Sequence, residues 1–338
     1  MNQMHRFKSA WLTTNRSCNN RCDWCYARKV LNPLQVMSLE DAKLAVDMLQ
    51  EHGVQKIVLI GGEPTVYPHL IELIGYISKK GIVVSLATNG RKFENYEFAK
   101  KVIDAGVGGI NISLKATSEE EYLRNTHQHG LEEALKGVRN LKLLGFEPVV
   151  SYVIVDDSKK DFNKLVELMK KENISKVILQ FVKPALELNE KNDIMDITAM
   201  GEFVEYIYGV ISQTEIDYTL EVSFPICLIK EEILEKLIGE GRIVTCCHIQ
   251  RGNGIIFDTD FKVLPCNHFA EYPFSDKPID LASENAIDDL WETEDVQEFR
   301  KVAKCYPSIK CKMCNLWDIC GGGCFTRWFY LNPSEYIG

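Results

Sequence analysis

Hydrophobic positions in the first two thirds of the chain fall into short, nearly continuous runs separated by longer segments of helical period. The runs lie at about 8–14, 56–60, 82–88, 108–114, 148–155 and 176–182. Runs of this kind predict strands buried on both faces of a parallel sheet. From Ser38 onward, Leu39, Ala42, Ala45, Val46 and Leu49 form one apolar stripe, with Ser38 placed to cap the helix and Asp41 at the capping-box position. Further helices are predicted at about 68–80, 95–105, 118–144 (broken near Gly130), 159–172 and 195–213. Six βα units in succession predict an α/β architecture. Right-handed crossovers leave a doubly wound sheet or a barrel-like closure, and six units are too few for an eight-stranded barrel.

Beyond about residue 220 this rhythm stops, and cysteine and glycine become denser. Ile255–Asp258 and Lys262–Leu264 predict a hairpin around Thr259 and Asp260. The division expected is a domain of residues 1–220 followed by a small Cys-rich domain of residues 221–338.

The chain has 338 residues, 39 of them basic and 48 acidic, for a net charge of −9. That balance argues against a general nucleic-acid binder. No apolar run approaches the roughly 20 residues that span a bilayer, so no membrane association is expected. The N-terminal stretch lacks the apolar segment of a secretion signal, so a cytoplasmic location is expected. Twelve cysteines change the picture, because thiols in a reducing compartment usually serve metal or redox chemistry. Cys18, Cys22 and Cys25 form one group, and the other nine run from Cys227 to Cys324.

The first group has C-x3-C-x2-C spacing directly after the first predicted strand. Soft thiolates select iron–sulfur or zinc sites. Three protein ligands on a cubane leave one iron open to a ligand, whereas a structural zinc would draw its fourth ligand from elsewhere. Gly61, Gly62, Glu63 and Pro64 follow the second strand at the same end of the sheet, where α/β proteins keep their sites.

With the aromatic Trp24 before the last cysteine, these motifs over residues 8–215 resemble the radical S-adenosylmethionine (SAM) superfamily. The resemblance implies a (β/α)6 partial barrel. Cys18, Cys22 and Cys25 would hold a [4Fe–4S] cluster whose open iron is chelated by SAM, and reduction would release a 5′-deoxyadenosyl radical. Gly61, Gly62 and Glu63, with Pro64, would meet the SAM amino group. Thr88, Asn89, Ser113, Lys115, Ser151 and Gln180 at the strand ends would offer further SAM contacts, and Trp24 and Tyr26 would flank the cluster or the adenine. Packing or strand-end capping is the alternative role for these eight.

Near the C-terminus, Cys311, Cys314, Cys320 and Cys324 follow C-x2-C-x5-C-x3-C spacing, punctuated by Gly321–Gly323. This run resembles the SPASM domain, which carries auxiliary [4Fe–4S] clusters in radical SAM enzymes that modify peptides and proteins. The resemblance implies Cys227, Cys247 (or Cys246), Cys266 and Cys324 on auxiliary cluster I, and Cys311, Cys314 and Cys320 on auxiliary cluster II. The chain departs from the pattern twice: Phe261 stands where a glycine is usual, and no cysteine follows Cys324. For the fourth ligand of cluster II, Cys305 is the candidate, with Asp318 or an open iron as alternatives. A single auxiliary cluster is the fallback.

The resulting expectation is an enzyme that abstracts hydrogen from a residue of a ribosomally made precursor peptide, giving a crosslink or an epimerised or oxidised residue. An electron donor such as flavodoxin or ferredoxin is implied. Only seven residues precede the first predicted strand, so the precursor would be delivered by a separate leader-recognition protein or read through its core sequence. The alternatives are a radical SAM enzyme acting on a small molecule or a protein side chain, as in sulfatase maturation, and a zinc-stabilised binding protein. No residue that quenches or deprotonates the intermediate is assigned. His127 and His129 read as solvated surface, and His248 and His268, each beside a candidate cysteine, as weaker ligand candidates than the thiols. Arg327–Tyr330 is a candidate binding surface or a cap on the C-terminal segment.

Overall fold

The structure is a computed structural model that describes residues 7–155, 158–184, 196–245 and 248–337. Strands β1 (Ser9–Thr13), β2 (Lys56–Ile60), β3 (Val83–Thr88), β4 (Gly109–Leu114), β5 (Val149–Ile154) and β6 (Lys176–Phe181) are all parallel and neighbour one another in chain order. No reversal of strand order occurs among them, so the doubly wound alternative falls away. β7 (Asp217–Glu221) and β8 (Ile243–Val244) extend the sheet past β6. β9 (Gly254–Phe257) adds in parallel to β1, and β10 (Val263–Leu264) pairs antiparallel with β9, forming the hairpin expected there. The ten-stranded sheet therefore keeps two edges, β8 and β10. Helices α1 (Leu39–Glu51), α2 (Leu70–Lys79), α3 (Tyr96–Asp104), α4 (Glu119–Thr126), α5 (Leu131–Leu143), α6 (Ser158–Lys171) and α7 (Ile197–Ile211) occupy the connections. At the start of α1, Ser38 Oγ accepts from the Asp41 amide at 3.1 Å.

The strands are buried differently on their two faces. Ala10, Leu12, Ile57, Leu59, Val84, Leu86, Ile110, Ile112, Val150, Tyr152, Val177 and Leu179 share one register and are all buried. The opposite register carries Trp11, Ser85, Asn111, Ser113, Gln180 and Glu221, which are only half-buried. The expectation of full burial on both faces thus holds for one face alone. The other face carries more accessible polar side chains, as a ligand-binding face requires.

Segments after residue 221 join the same core, with Phe224, Ile226, Phe257, Trp291 and Trp328 buried in the cluster that contains β1–β6. No helix among the described residues is long and apolar enough to cross a membrane.

α5 illustrates how tightly the layers meet. Gly137 lies mid-helix, where alanine would ordinarily gain about 1 kcal/mol. A Cβ there would sit 2.5 Å from the Gly90 carbonyl oxygen and 3.0 Å from the Phe93 Cβ. Gly137→Ala is therefore expected to lower the melting temperature in spite of propensity, and a raised value in thermal denaturation would show the contact to be slack.

Candidate active site at the mouth of the sheet

The cysteine loop leaves β1 along the C-terminal end of β2. The Thr14 amide donates to the Ile60 carbonyl at 2.9 Å, Gly62 to Asn15 at 2.9 Å, and Glu63 to Ser17 at 2.8 Å. A Cβ on Gly61 would lie 2.6 Å from the Asn15 carbonyl oxygen, and one on Gly62 would meet the Ser17 carbonyl. On this side the glycines admit the backbone of the cysteine loop itself.

Glu63 is 2% exposed. Its Oε1 accepts from the Thr65 amide at 3.0 Å, the Thr65 hydroxyl at 2.7 Å and the Thr88 hydroxyl at 2.6 Å, while Oε2 accepts from the Asn89 amide at 2.7 Å. Pro64 opens a short helical turn, and the carboxylate caps that turn. Thr88 and Asn89 are thus engaged by protein groups. Asn89 Nδ2 also donates to Asn19 Oδ1 at 2.7 Å.

Arg91 closes the arrangement, donating to the Asn19 carbonyl and Asn20 Oδ1, each at 2.8 Å, and to Glu133 of α5 at 2.5 Å. On the far side, the Arg21 amide donates to the Thr126 carbonyl at 2.9 Å, and Asn20 Nδ2 to the Tyr122 hydroxyl at 2.9 Å. His127 pairs with Asp23 at 2.7 Å on the surface, and His129 with Glu119 at 3.1 Å.

Cys22 is buried, and Cys18 and Cys25 are half-buried. Burial pushes all three thiols up, Cys18 to about 12. The Lys115 ammonium, at the end of β4, works against this at Cys22 and Cys25. Lys115 donates to Ser113 Oγ at 2.6 Å, and Ser113 stands in register with Ser151 on β5. Ser113 and Ser151 thus share one face of the sheet, Ser113 half-buried beside Lys115 and Ser151 buried. Trp24 is half-buried. The Tyr26 ring lies 5.2 Å from the His268 ring, and burial, followed by the Cys25 and Cys266 thiols, raises its phenol.

Gln180 instead donates to Glu221 at 2.5 Å, and Lys183 pairs with the same carboxylate. Burial opposes the Lys183 charge, but Glu221 and the Cys324 and Cys266 thiols hold its pKa above the usual value. Arg16, 3% exposed, pairs with Asp258 at 2.5 Å and ties the start of the cysteine loop to the β9–β10 hairpin. Periodicity does not register isolated charges, so Arg16, Arg91, Lys183 and Glu221 passed unnoticed in the sequence.

In the C-terminal segment, the thiols acting on Cys227 are Cys320, Cys311 and, more weakly, Cys314. Cys266 and Cys324 act instead on Lys183. Cys305 is exposed and receives the Lys312 ammonium at 2.9 Å. Cys246 and Cys247 lie outside the described residues. The His248 ring lies 4.1 Å from the Trp11 ring, and His268 Nδ1 lies 3.1 Å from the Pro184 carbonyl oxygen. Of the aromatic run, Trp328 is buried and Phe329 is 58% exposed. Among the described residues, no three His, Cys, Asp or Glu side chains gather in a way that could hold a metal ion.

Arg327 is fully buried. It donates to the Ser223 carbonyl at 3.1 Å, the Val182 carbonyl at 2.7 Å and the Ser223 hydroxyl at 2.9 Å, all neutral acceptors. Its Nη1 has no partner among the described residues. Burial pushes its pKa down to about 10, with the Cys324 thiol acting in the opposite sense. A buried cation of this kind calls for a nearby negative charge. A thiolate-bound centre at Cys324 would supply one. The three soft thiols Cys18, Cys22 and Cys25 in one turn fit, by donor chemistry, the cluster that three cysteines hold.

A family model for the radical SAM superfamily matches residues 12–181. The chain belongs to the radical SAM superfamily. Membership implies a SAM-binding [4Fe–4S] cluster. Among curated proteins, a probable GTP 3′,8-cyclase of Saccharolobus solfataricus is 27% identical over 202 residues, 58% of this chain and 64% of that protein. An Fe-coproporphyrin III synthase of Methanosarcina barkeri is 29% identical over 168 residues, 49% of this chain and 42% of that protein. The chain thus spans less than two thirds of the length of these relatives. Among solved structures, SuiB of Streptococcus suis bound to its precursor peptide SuiA superposes with a TM-score of 0.76 at 16% identity, over 98% of this chain and 75% of that one. The enzyme anSMEcpe with bound AdoMet and Kp18Cys peptide gives 0.72 at 17% identity, over 94% and 88%. At these identities the likeness establishes the fold: the radical SAM partial (β/α)6 barrel with an appended C-terminal region.

Two outcomes follow from this radical SAM site. Glu63→Gln puts an amide donor against donors already in place, and is expected to cost about 1–3 kcal/mol in chemical denaturation; an unchanged midpoint would contradict the four-donor geometry. Arg327→Met should narrow the difference in melting temperature between iron-loaded and iron-free protein. An undiminished difference would mean that the guanidinium does not sense what Cys324 binds.

Proposed function

We propose that this radical SAM enzyme modifies a residue of a ribosomally made peptide. The observation that carries the reading is the seating of the loop that bears Cys18, Cys22 and Cys25 against the Gly61–Glu63 turn, where the Gly62 amide donates to Asn15 and the Glu63 amide to Ser17. When bound, the cluster and SAM supply a carbon radical strong enough to take hydrogen from an unactivated C–H bond. The protein holds and screens that chemistry. The Gly61–Glu63 segment fixes the loop and offers backbone acceptors to the SAM amino group, Lys115 offers an ammonium to its carboxylate, and Ser113 and Ser151 offer hydroxyls to the ribose. Because the Glu63 carboxylate already serves four protein donors, the amino group would be met by backbone carbonyls of that segment.

The peptide assignment is supported by likeness, through nearly the whole chain including the Cys-rich segment, to the structures of SuiB and anSMEcpe with bound peptides. Auxiliary clusters on the C-terminal cysteines would supply electron storage, and an external donor such as flavodoxin or ferredoxin would supply the reducing electron. A second reading, a small-molecule substrate, is favoured by the names of the curated relatives.

Cys22→Ala is expected to abolish 5′-deoxyadenosine formation under anaerobic reduction while leaving the remaining iron bound. Survival of SAM cleavage would sink the site assignment. Mass spectrometry after incubation with a candidate precursor peptide, and separately with GTP, decides between the two substrate classes: a mass change in the peptide supports the first, consumption of GTP the second.

A further inference from the structure

The C-terminal segment carries a cleft that the site described above does not use. Phe269, Tyr272 and Phe274, which follow the β9–β10 hairpin, line a cavity of about 620 Å³ together with Phe299, Phe329 and Tyr330. Phe299 belongs to the helix Glu294–Cys305. The base is well packed: Phe269 and the underlying Phe325 are buried, and the Phe299 ring lies 5.8 Å from Phe269 and 5.4 Å from Phe274, edge to face. The mouth is open, with Phe329 58% and Tyr272 48% exposed. Large rings left in water around a cavity mark a place where something binds. Asp295, four residues before Phe299 on the same helix face, is the one charged side chain in the lining. Its carboxylate has no ion-pair or hydrogen-bond partner among the described residues. The basic residues of this helix, Arg300, Lys301 and Lys304, line a separate cavity with Lys312. Charge is thus sorted along the helix, with a lone carboxylate at the aromatic cleft and the cations elsewhere.

We propose that this cleft holds a stretch of the substrate peptide in which a lysine or arginine neighbours apolar side chains; the proposal rests on the peptide reading above. Aromatic ring faces attract a cation, and an unpaired carboxylate at the same mouth adds to the attraction. The methylene stem of a lysine or arginine covers ring surface while its charged end meets Asp295. An acidic segment is repelled by Asp295 and finds no cation in the lining. The cleft also adjoins the cysteine loop. Asn267–Phe269 forms one short turn, in which the His268 ring lies 5.2 Å from that of Tyr26, the residue after Cys25, while the next residue, Phe269, lines the cleft. An extended peptide advances about 3.3 Å per residue, so a few residues carry it from the cleft to the loop. The cleft anchors the peptide beside the residue to be modified and takes no part in the chemistry.

The test titrates the full chain, reconstituted anaerobically, into a short fluorescein-labelled peptide with one lysine between two leucines, and reads fluorescence anisotropy. Counterpart peptides carry glutamate or norleucine in place of the lysine. The lysine peptide should bind about tenfold more tightly than the norleucine peptide, and the glutamate peptide more weakly still. Asp295→Asn and Phe329→Ala, both at exposed positions, should each weaken the lysine peptide by about five- to tenfold with the melting temperature unchanged. Asp295→Asn should leave the affinity for the norleucine peptide as it was. Equal affinities for the lysine and glutamate peptides overturn the proposal, as does undiminished binding of the lysine peptide by Asp295→Asn. Butylamine that competes as strongly as the peptide overturns the peptide as occupant. Failure of the underlying reading is seen separately: a candidate precursor that binds through Asp295 but shows no mass change under anaerobic turnover counts against peptide modification, while the preference of the cleft stands.

Discussion

A buried carboxylate sets the geometry at the mouth of the sheet. Glu63 stands at the end of β2 and takes donors from its own turn and from the end of β3. Removing such a group from water is costly unless its lone pairs are filled, and here four donors fill them. The arrangement is passed outward through Asn89 to Asn19, and through Arg91 to the backbone of the cysteine loop. The thiols are therefore placed by a rigid polar network, and their own contacts contribute little. That suits a loop whose ligands must hold one geometry through a one-electron change.

The second organising feature is charge. Cations stand near the thiols in both cysteine groups: the half-buried Lys115 at the first, and the half-buried Lys183 and the buried Arg327 at Cys266 and Cys324. Lys183 has Glu221 as a partner, whereas the bonds that Arg327 makes go to carbonyls and a hydroxyl. Thiols at neutral pH do not balance such a cation, but thiolates on a metal centre do. The Arg16–Asp258 pair then fixes the C-terminal hairpin against the catalytic loop, so the two halves share one electrostatic unit as well as one core.

The strand pattern, helix starts and hairpin were legible because each is a local property. The Ser38 cap, the break at Gly130 and the β9–β10 pairing all follow from side chains within a few residues of one another. C-x3-C-x2-C spacing and the Gly61–Pro64 turn were legible for the same reason, since a ligand set built from one loop is written in one stretch of sequence.

Local pattern did not distinguish the covered face of the sheet from the open one, nor show that Thr88 serves Glu63 while Ser113 and Ser151 stand in register on the other face. Those depend on register across strands that lie far apart in the chain. The sequence alone determined the six-unit α/β order and the three-thiol loop, because periodicity and spacing act over short distances. Only the tertiary structure decided that the segment from Ser223 to Ile226 lies against the Cys320–Cys324 run, because that neighbourhood is set by a backbone crossing between segments about a hundred residues apart, which no local preference encodes.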